Sequence, residues 1–264
     1  MKQIIEKWYK KLQFPSRFDK EFYLALDRFE EENINVDSYD LNCKDGAKNL
    51  LSYLYMCEET EKLYLENGIS NEILVDTLKD IVIWCENWSK VKGELYLGEL
   101  AWLKTHLKMK IFKIGRLQFN MAKLTCDIPK HNLKIGDNVV VIHVPRGEKL
   151  EYIECIKSIE KAKEFFKLHY PNYKYKAFTC CSWLLDETLK EFLPVESNIL
   201  RYASMFDYVS REEVFALLKY VFSIDTTIEN LNEKQPTSSF AGKIQQAVLT
   251  GKKFYEVLGV IPKD

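Results

Sequence analysis

Between residues 138 and 185 several side chains stand where chemistry could use them. His143 closes an apolar run, residues 138–144, and its imidazole has a reference pKa near working pH, so it could take a proton there. Arg146 and Gly147 follow in a Pro-Arg-Gly turn, which offers a guanidinium and a backbone that a ligand can approach closely; the pair could cradle a phosphate, or only start a helix. Cys180 and Ser182 share one face of a second apolar run, residues 177–185, where a thiol or hydroxyl could act as a nucleophile or simply line a cavity. Arg116, Gln118 and Asn120 alternate with Leu117, Phe119 and Met121, giving a polar strip that could bind a substrate carboxylate, or be a solvated sheet edge or a face covered by the helical domain. Ser197 and Asn198 could hold substrate or cap a turn.

The elements that would position these groups follow from hydrophobic period. A strand over residues 139–144, a helix over 148–170 and a strand over 177–185 make a strand–helix–strand unit. Many α/β proteins hold a phosphorylated cofactor where the helix opens on the strand's end. Leu150, Ile153, Ile156, Phe165 and Phe166 mark the buried side of that helix, and Pro171 stops it. Beyond it the pattern predicts a short helix over 186–193 and a strand over 199–206. A helix capped by Ser210 and Glu213 then runs to Phe222, followed by a helix over 240–249 and a strand over 254–261.

Upstream of about residue 110 the period is helical throughout. Residues 70–91 give the longest stripe, with Ser70 as cap and Leu74, Leu78, Ile81, Cys85 and Trp88 on one side. Near Lys110 the period falls from 3.6 to 2. The fold class expected is therefore α/β (α+β), a helical N-terminal domain over 1–106 followed by a mixed-sheet domain over 107–264.

Composition removes whole classes of function. With 38 basic against 39 acidic side chains the net charge is −1, and no long span is one-sidedly basic, so no nucleic-acid partner is expected. No apolar run reaches the roughly 18 residues of a membrane span, so no membrane partner is expected either. Seven cysteines, an odd number without a CxxC pair, suit free thiols in a reducing compartment, and a cytoplasmic location is expected. GxxxxGK[ST], GxGxxG, HExxH and GxSxG are all missing from the sequence, and no metal site is suggested by the spacing of His106, His131, His143 and His169.

The segments GRLQFN (115–120), HVPRGEKL (143–150), FTCCSWLLDETL (178–189) and LPVESNILRYASMF (193–206), with the ending TSSFAGKIQQAVLTGKKFYEVLGVI (237–261), carry a further signal. Together they resemble a family of bacterial proteins built from a helical N-acyltransferase N-terminal domain and a GNAT-like C-terminal domain. The resemblance implies an acyl-CoA-dependent N-acyltransferase, with acyl-CoA or acetyl-CoA as co-substrate and a small-molecule amine as acceptor, reacting directly in a ternary complex.

It further implies that the strand at 139–144 splays from its neighbour to admit the CoA thioester. His143 or Glu148 would be the base, Val144 amides would polarise the thioester carbonyl, and Arg146 and Gly147 would hold phosphate. Cys180 or Ser182 would stand beside the opening, and Arg116, Gln118, Asn120, Ser197 and Asn198 would bind substrate. Ordinary GNAT enzymes carry an Arg/Gln-x-x-Gly-x-Gly/Ala phosphate turn; here Pro145 to Lys149 supplies one glycine, and Glu148 would repel a pyrophosphate. The alternative is an inactive GNAT-like scaffold that binds a small ligand or a protein partner.

Overall fold

The computed structural model describes residues 1–30 and 34–263, and these fall into two compact units. One comprises residues 1–114 with 145–147, the other 115–144 with 148 onward.

The first unit is helical: α1 (Lys2–Lys11), α2 (Asp19–Arg28), α3 (Gly46–Glu66), α4 (Asn71–Leu78), α5 (Asp80–Lys92) and α6 (Leu100–Leu107), then a short strand β1 (Ile111–Ile114). Ile5, Trp8 and Tyr9 of α1 are buried, and the Tyr9 ring stacks on Phe22 of α2 with centroids 3.7 Å apart. The stripe over 70–91 is two helices rather than one. Ser70 caps the first by accepting from the Ile73 amide, and the second restarts at Lys79. The restart brings Asp80 inside, 3% exposed, where its carboxylate accepts from the indoles of Trp84 and Trp102 and lies 3.2 Å from His106 Nε2. No helix among the described residues is long and apolar enough to cross a membrane.

The second unit contains β2 (Leu117–Lys123), β3 (Asn138–His143), α7 (Tyr152–His169), β4 (Ala177–Ser182), α8 (Asn198–Ala203), β5 (Asp207–Glu213), α9 (Leu217–Val221), α10 (Ser239–Leu249) and β6 (Tyr255–Pro262). Its strands lie in the order β2-β3-β4-β6-β5, all antiparallel except β3 and β4, which are parallel and joined through α7 as a parallel pair requires. Phe119 and Phe178 meet on one sheet face; Tyr175 packs on Phe178 and Phe166 of α7 on Tyr175, so α7 covers that face.

Several expectations are corrected. Residues 148–151 do not join the helix, because the carbonyls of Glu148 and Lys149 accept from the Arg116 guanidinium and Gly147 stands at φ 96°. Residues 199–206 are mostly helical, since Ser197 accepts from the Leu200 amide and nucleates α8. Ser210 and Glu213 lie on a strand and cap nothing, being paired with Leu258 and Tyr255 of β6. The second apolar run leaves the strand at Ser182, whose hydroxyl accepts from the Leu184 amide and starts a 3-10 turn.

Candidate functional site

The parallel pair β3–β4 is the centre of the second unit. It is in register at Val140 with Phe178 and Val141 with Thr179, and Lys176 N donates to Asn138 O at 2.9 Å just before. Beyond Val141 and Thr179 no further register is formed among the described residues, although β3 continues to His143 and β4 to Ser182. Each strand keeps its other neighbour along its whole length: β3 pairs with β2 from Asn138 to His143, and β4 pairs with β6 from Ala177 to Ser182. Parting therefore forfeits only the bonds between β3 and β4. The result is an opening in the β3–β4 ladder at the strands' C-terminal ends, edged by main-chain groups of a kind that an extended ligand can pair with as an added strand.

Pairing register sorts the side chains around this opening onto two faces. On the face away from α7 stand Gln118 and Asn120 of β2, Val141 and His143 of β3, Thr179 and Cys181 of β4, and Glu256 of β6. His143 Nε2 lies 2.6 Å from Asn120 Oδ1. Gln118 is only 1% exposed, so the strip that includes it is not the solvated sheet face that alternation alone allows.

On the α7 face Cys180 is 1% exposed, and its sulfur lies 3.6 Å from the buried Tyr202 hydroxyl of α8. Burial pushes its thiol up to about 12, with the Tyr202 bond opposing the shift. A thiol so held carries almost no thiolate near neutrality, which argues against Cys180 as a nucleophile. Ser182 is engaged in its turn.

Arg116 belongs to the turn between β1 and β2 and is buried. Nε donates to Lys149 O and Nη2 to Glu148 O, both at 2.8 Å. Burial lowers its pKa, and the Glu148 charge works the other way. Its observed work is to hold the bend that leads into α7. Glu148 itself is exposed on that bend. Arg146, in the first unit, donates from Nη1 to Asn87 Oδ1 at 2.8 Å, a bond with which phosphate would compete. Ser197 caps α8 and Asn198 is its first residue.

The first turn of α7 has no side-chain cap, so amides there remain available to an anion. Beside it the Arg201 guanidinium lies 4.6 Å over the Tyr152 ring. Arg201 carries no signal in the sequence, because residues 199–206 suit a strand as well as a helix and the approach of α8 to α7 leaves no local pattern.

A mixed sheet whose parallel pair parts ahead of an uncapped helix defines a GNAT-type α/β fold. Residues 111–261 match the family described as GNAT-like C-terminal domain, and residues 7–109 the N-acyltransferase N-terminal domain. The chain belongs to this GNAT-like family. No protein of curated function matches the sequence.

Among solved structures, a mutant acyltransferase in complex with octanoyl-CoA aligns with a TM-score of 0.80 at 18% identity, covering 99% of this chain and 88% of that one. An acyltransferase in complex with decanoyl-CoA and teicoplanin aligns with a TM-score of 0.79 at 18% identity, over 97% of this chain and 87% of the other. One in complex with decanoyl-CoA aligns with a TM-score of 0.78 at 20% identity, over 98% and 87%. At these identities the likeness establishes the fold.

Proposed function

We propose that the protein is an acyl-CoA-dependent N-acyltransferase that passes an acyl group directly to an amine in a ternary complex. The observation that carries this reading is the opening between β3 and β4 with the uncapped α7 at its end. The acyl-CoA and teicoplanin complexes of the similar structures support it. Bound acyl-CoA would supply a thioester, an acyl group already activated toward an amine.

Every other part is the chain's own. The free edge of β3 around Val144 pairs with an extended pantetheine and polarises the acyl carbonyl through an amide. The first turn of α7, with Arg201 beside it, holds the diphosphate. His143, oriented by Asn120, receives a proton from the attacking nitrogen. Glu148 is the weaker base, because it sits exposed on the bend that Arg116 ties down. We assign residues 1–106 to a helical domain, residues 107–264 to the transferase domain, and a cytoplasmic location to the whole, in keeping with its free cysteines.

Calorimetric titration with octanoyl-CoA and with acetyl-CoA tests the reading. Saturable one-to-one binding of at least one, weakened about tenfold by Arg201→Ala, is expected. Absence of saturable binding by either thioester overturns it.

A further inference from the structure

A cavity of about 170 Å³ lies in the second unit, on the α7 side of the sheet, with Val257 and Gly259 of β6 as its floor. Leu185, from the turn after β4, and Leu200, Ala203 and Phe206, from α8 and the link beyond it, are its apolar walls. Contacts outside the cavity fix these walls. The Phe206 ring meets that of buried Tyr202 with centroids 5.2 Å apart. Leu185 and Phe206 both close on Gly259, where a Cβ would lie 2.8 Å from each of them. Side chains so pinned do not collapse into the space between them, and an apolar cavity of roughly 150 Å³ is large enough for a benzene ring.

Of the polar side chains that line the cavity only Asp186 is buried, at 3% exposed; Glu187, Lys190, Ser204 and Tyr208 form an exposed rim. Asp186 Oδ1 accepts from the Thr188 amide at 3.0 Å, and Oδ2 from the Tyr255 amide at 2.9 Å. Each carboxylate oxygen has room for a second donor, and among the described residues no cation pairs with this carboxylate. The rim cation is committed elsewhere, since Lys190 pairs with Glu187 at 2.8 Å. Ser204 donates to Arg201 O at 2.8 Å, so its oxygen can only accept from a ligand. An apolar space with a buried acceptor at its wall fits a ligand that brings one donor on an apolar body.

We propose that this cavity binds a small neutral ring bearing one hydroxyl, and that its occupant tightens acyl-CoA binding through α8. The ring lies against Leu185, Leu200, Phe206 and Val257, and the hydroxyl donates to the Asp186 carboxylate.

The link to acyl-CoA is α8 itself. Leu200 and Ala203 face the cavity, while Arg201 between them reaches the Tyr152 ring at the first turn of α7. A ring seated against Leu200 and Ala203 braces this short helix and so keeps Arg201 where the diphosphate needs it. That half of the proposal rests on the transferase reading given above; the cavity and its ligand class do not.

Phenol, benzene and benzoate test this on the full chain by NMR titration without an acyl donor. Saturable phenol binding is expected, with benzene about tenfold weaker and benzoate unbound, because benzoate offers Asp186 no donor and a like charge. Ala203→Leu, which fills the space from a partly exposed helix position, and Leu200→Phe should each abolish phenol binding. Saturating phenol should tighten octanoyl-CoA about fivefold in the wild type and leave it unchanged in Ala203→Leu. No saturable phenol binding, or phenol binding that both variants retain, overturns the site. Benzene bound as tightly as phenol overturns the role of Asp186, and octanoyl-CoA affinity indifferent to phenol overturns the link through α8. Failure of octanoyl-CoA to bind at all, with phenol still bound and still lost in Ala203→Leu, overturns the transferase reading and leaves the cavity site standing.

Discussion

The His143 imidazole meets the Asn120 amide across β3 and β2, Nε2 lying 2.6 Å from Oδ1. Asn120 Nδ2 donates to its neighbour's carbonyl, Met121 O, at 3.3 Å, which turns the amide oxygen toward the ring. The imidazole proton then sits on Nε2, and Nδ1 keeps the lone pair. His143→Gln should lower kcat about a hundredfold with little change in the KM for acyl-CoA. Asn120→Ala should lower kcat less and displace the limb of the pH–rate profile that His143 governs. An unchanged profile in both variants removes His143 from proton transfer.

The Asp80 carboxylate is buried in the helical unit among His106 and two indoles. Burial alone would raise its pKa, but His106 and the indoles of Trp102 and Trp84 outweigh that and hold it below the usual value. A depressed folded-state pKa means that the contribution is present above the unfolded value of about 3.9 and lost as pH falls through the folded one. Asp80→Ala should cost about 3–5 kcal/mol, because it strips the partner from His106 and both indoles. Urea unfolding followed by tryptophan fluorescence measures this directly, and the wild type's advantage over the variant should shrink below pH 4.

Gly259 of β6 sits under two side chains. A Cβ there would lie 2.8 Å from Leu185 Cδ1 and 2.8 Å from Phe206 Cβ, closer than carbon atoms pack. Gly259→Ala should destabilise by roughly 1–3 kcal/mol through overpacking, and Leu185→Ala in the same chain should recover part of the loss. A stability equal to wild type in the single variant would show that the 3-10 turn at Trp183–Leu185 yields freely.

Cys180 and Cys181 are neighbours in sequence and opposites in environment, one buried and the other exposed. Iodoacetamide should label Cys181 well ahead of Cys180 in the native chain, as read by peptide mass. Cys180→Ala should leave acyl transfer within about twofold of wild type, because a nucleophile's removal would cost orders of magnitude. Loss of turnover in a folded Cys180→Ala protein would restore the covalent mechanism.

Strands β3 and β4 were legible because continuous apolar runs bounded by turns are what a central parallel pair requires, and Ser70 announced its helix by capping it. The parting of β3 from β4 came from family resemblance, since two apolar strands read the same whether they pair over two steps or six. Residues 199–206 misled because Ile199, Leu200, Tyr202 and Phe206 suit either period, and only Ser197 as cap decides for a helix.

Arg116 gives the sharpest test of a residue whose chemistry suggested substrate and whose position does other work. Its guanidinium satisfies the Glu148 and Lys149 carbonyls, groups left outside the helix that Tyr152 begins. Arg116→Leu should keep much of the packing yet leave two acceptors without their donor, costing about 1–3 kcal/mol. Because the bend leads straight into the first turn of α7, the variant should also raise the KM for acyl-CoA several-fold while its KM for the amine stays put. A rise in the amine KM alone, with the acyl-CoA KM unchanged, would return Arg116 to the acceptor side of the reaction and detach the bend from phosphate binding.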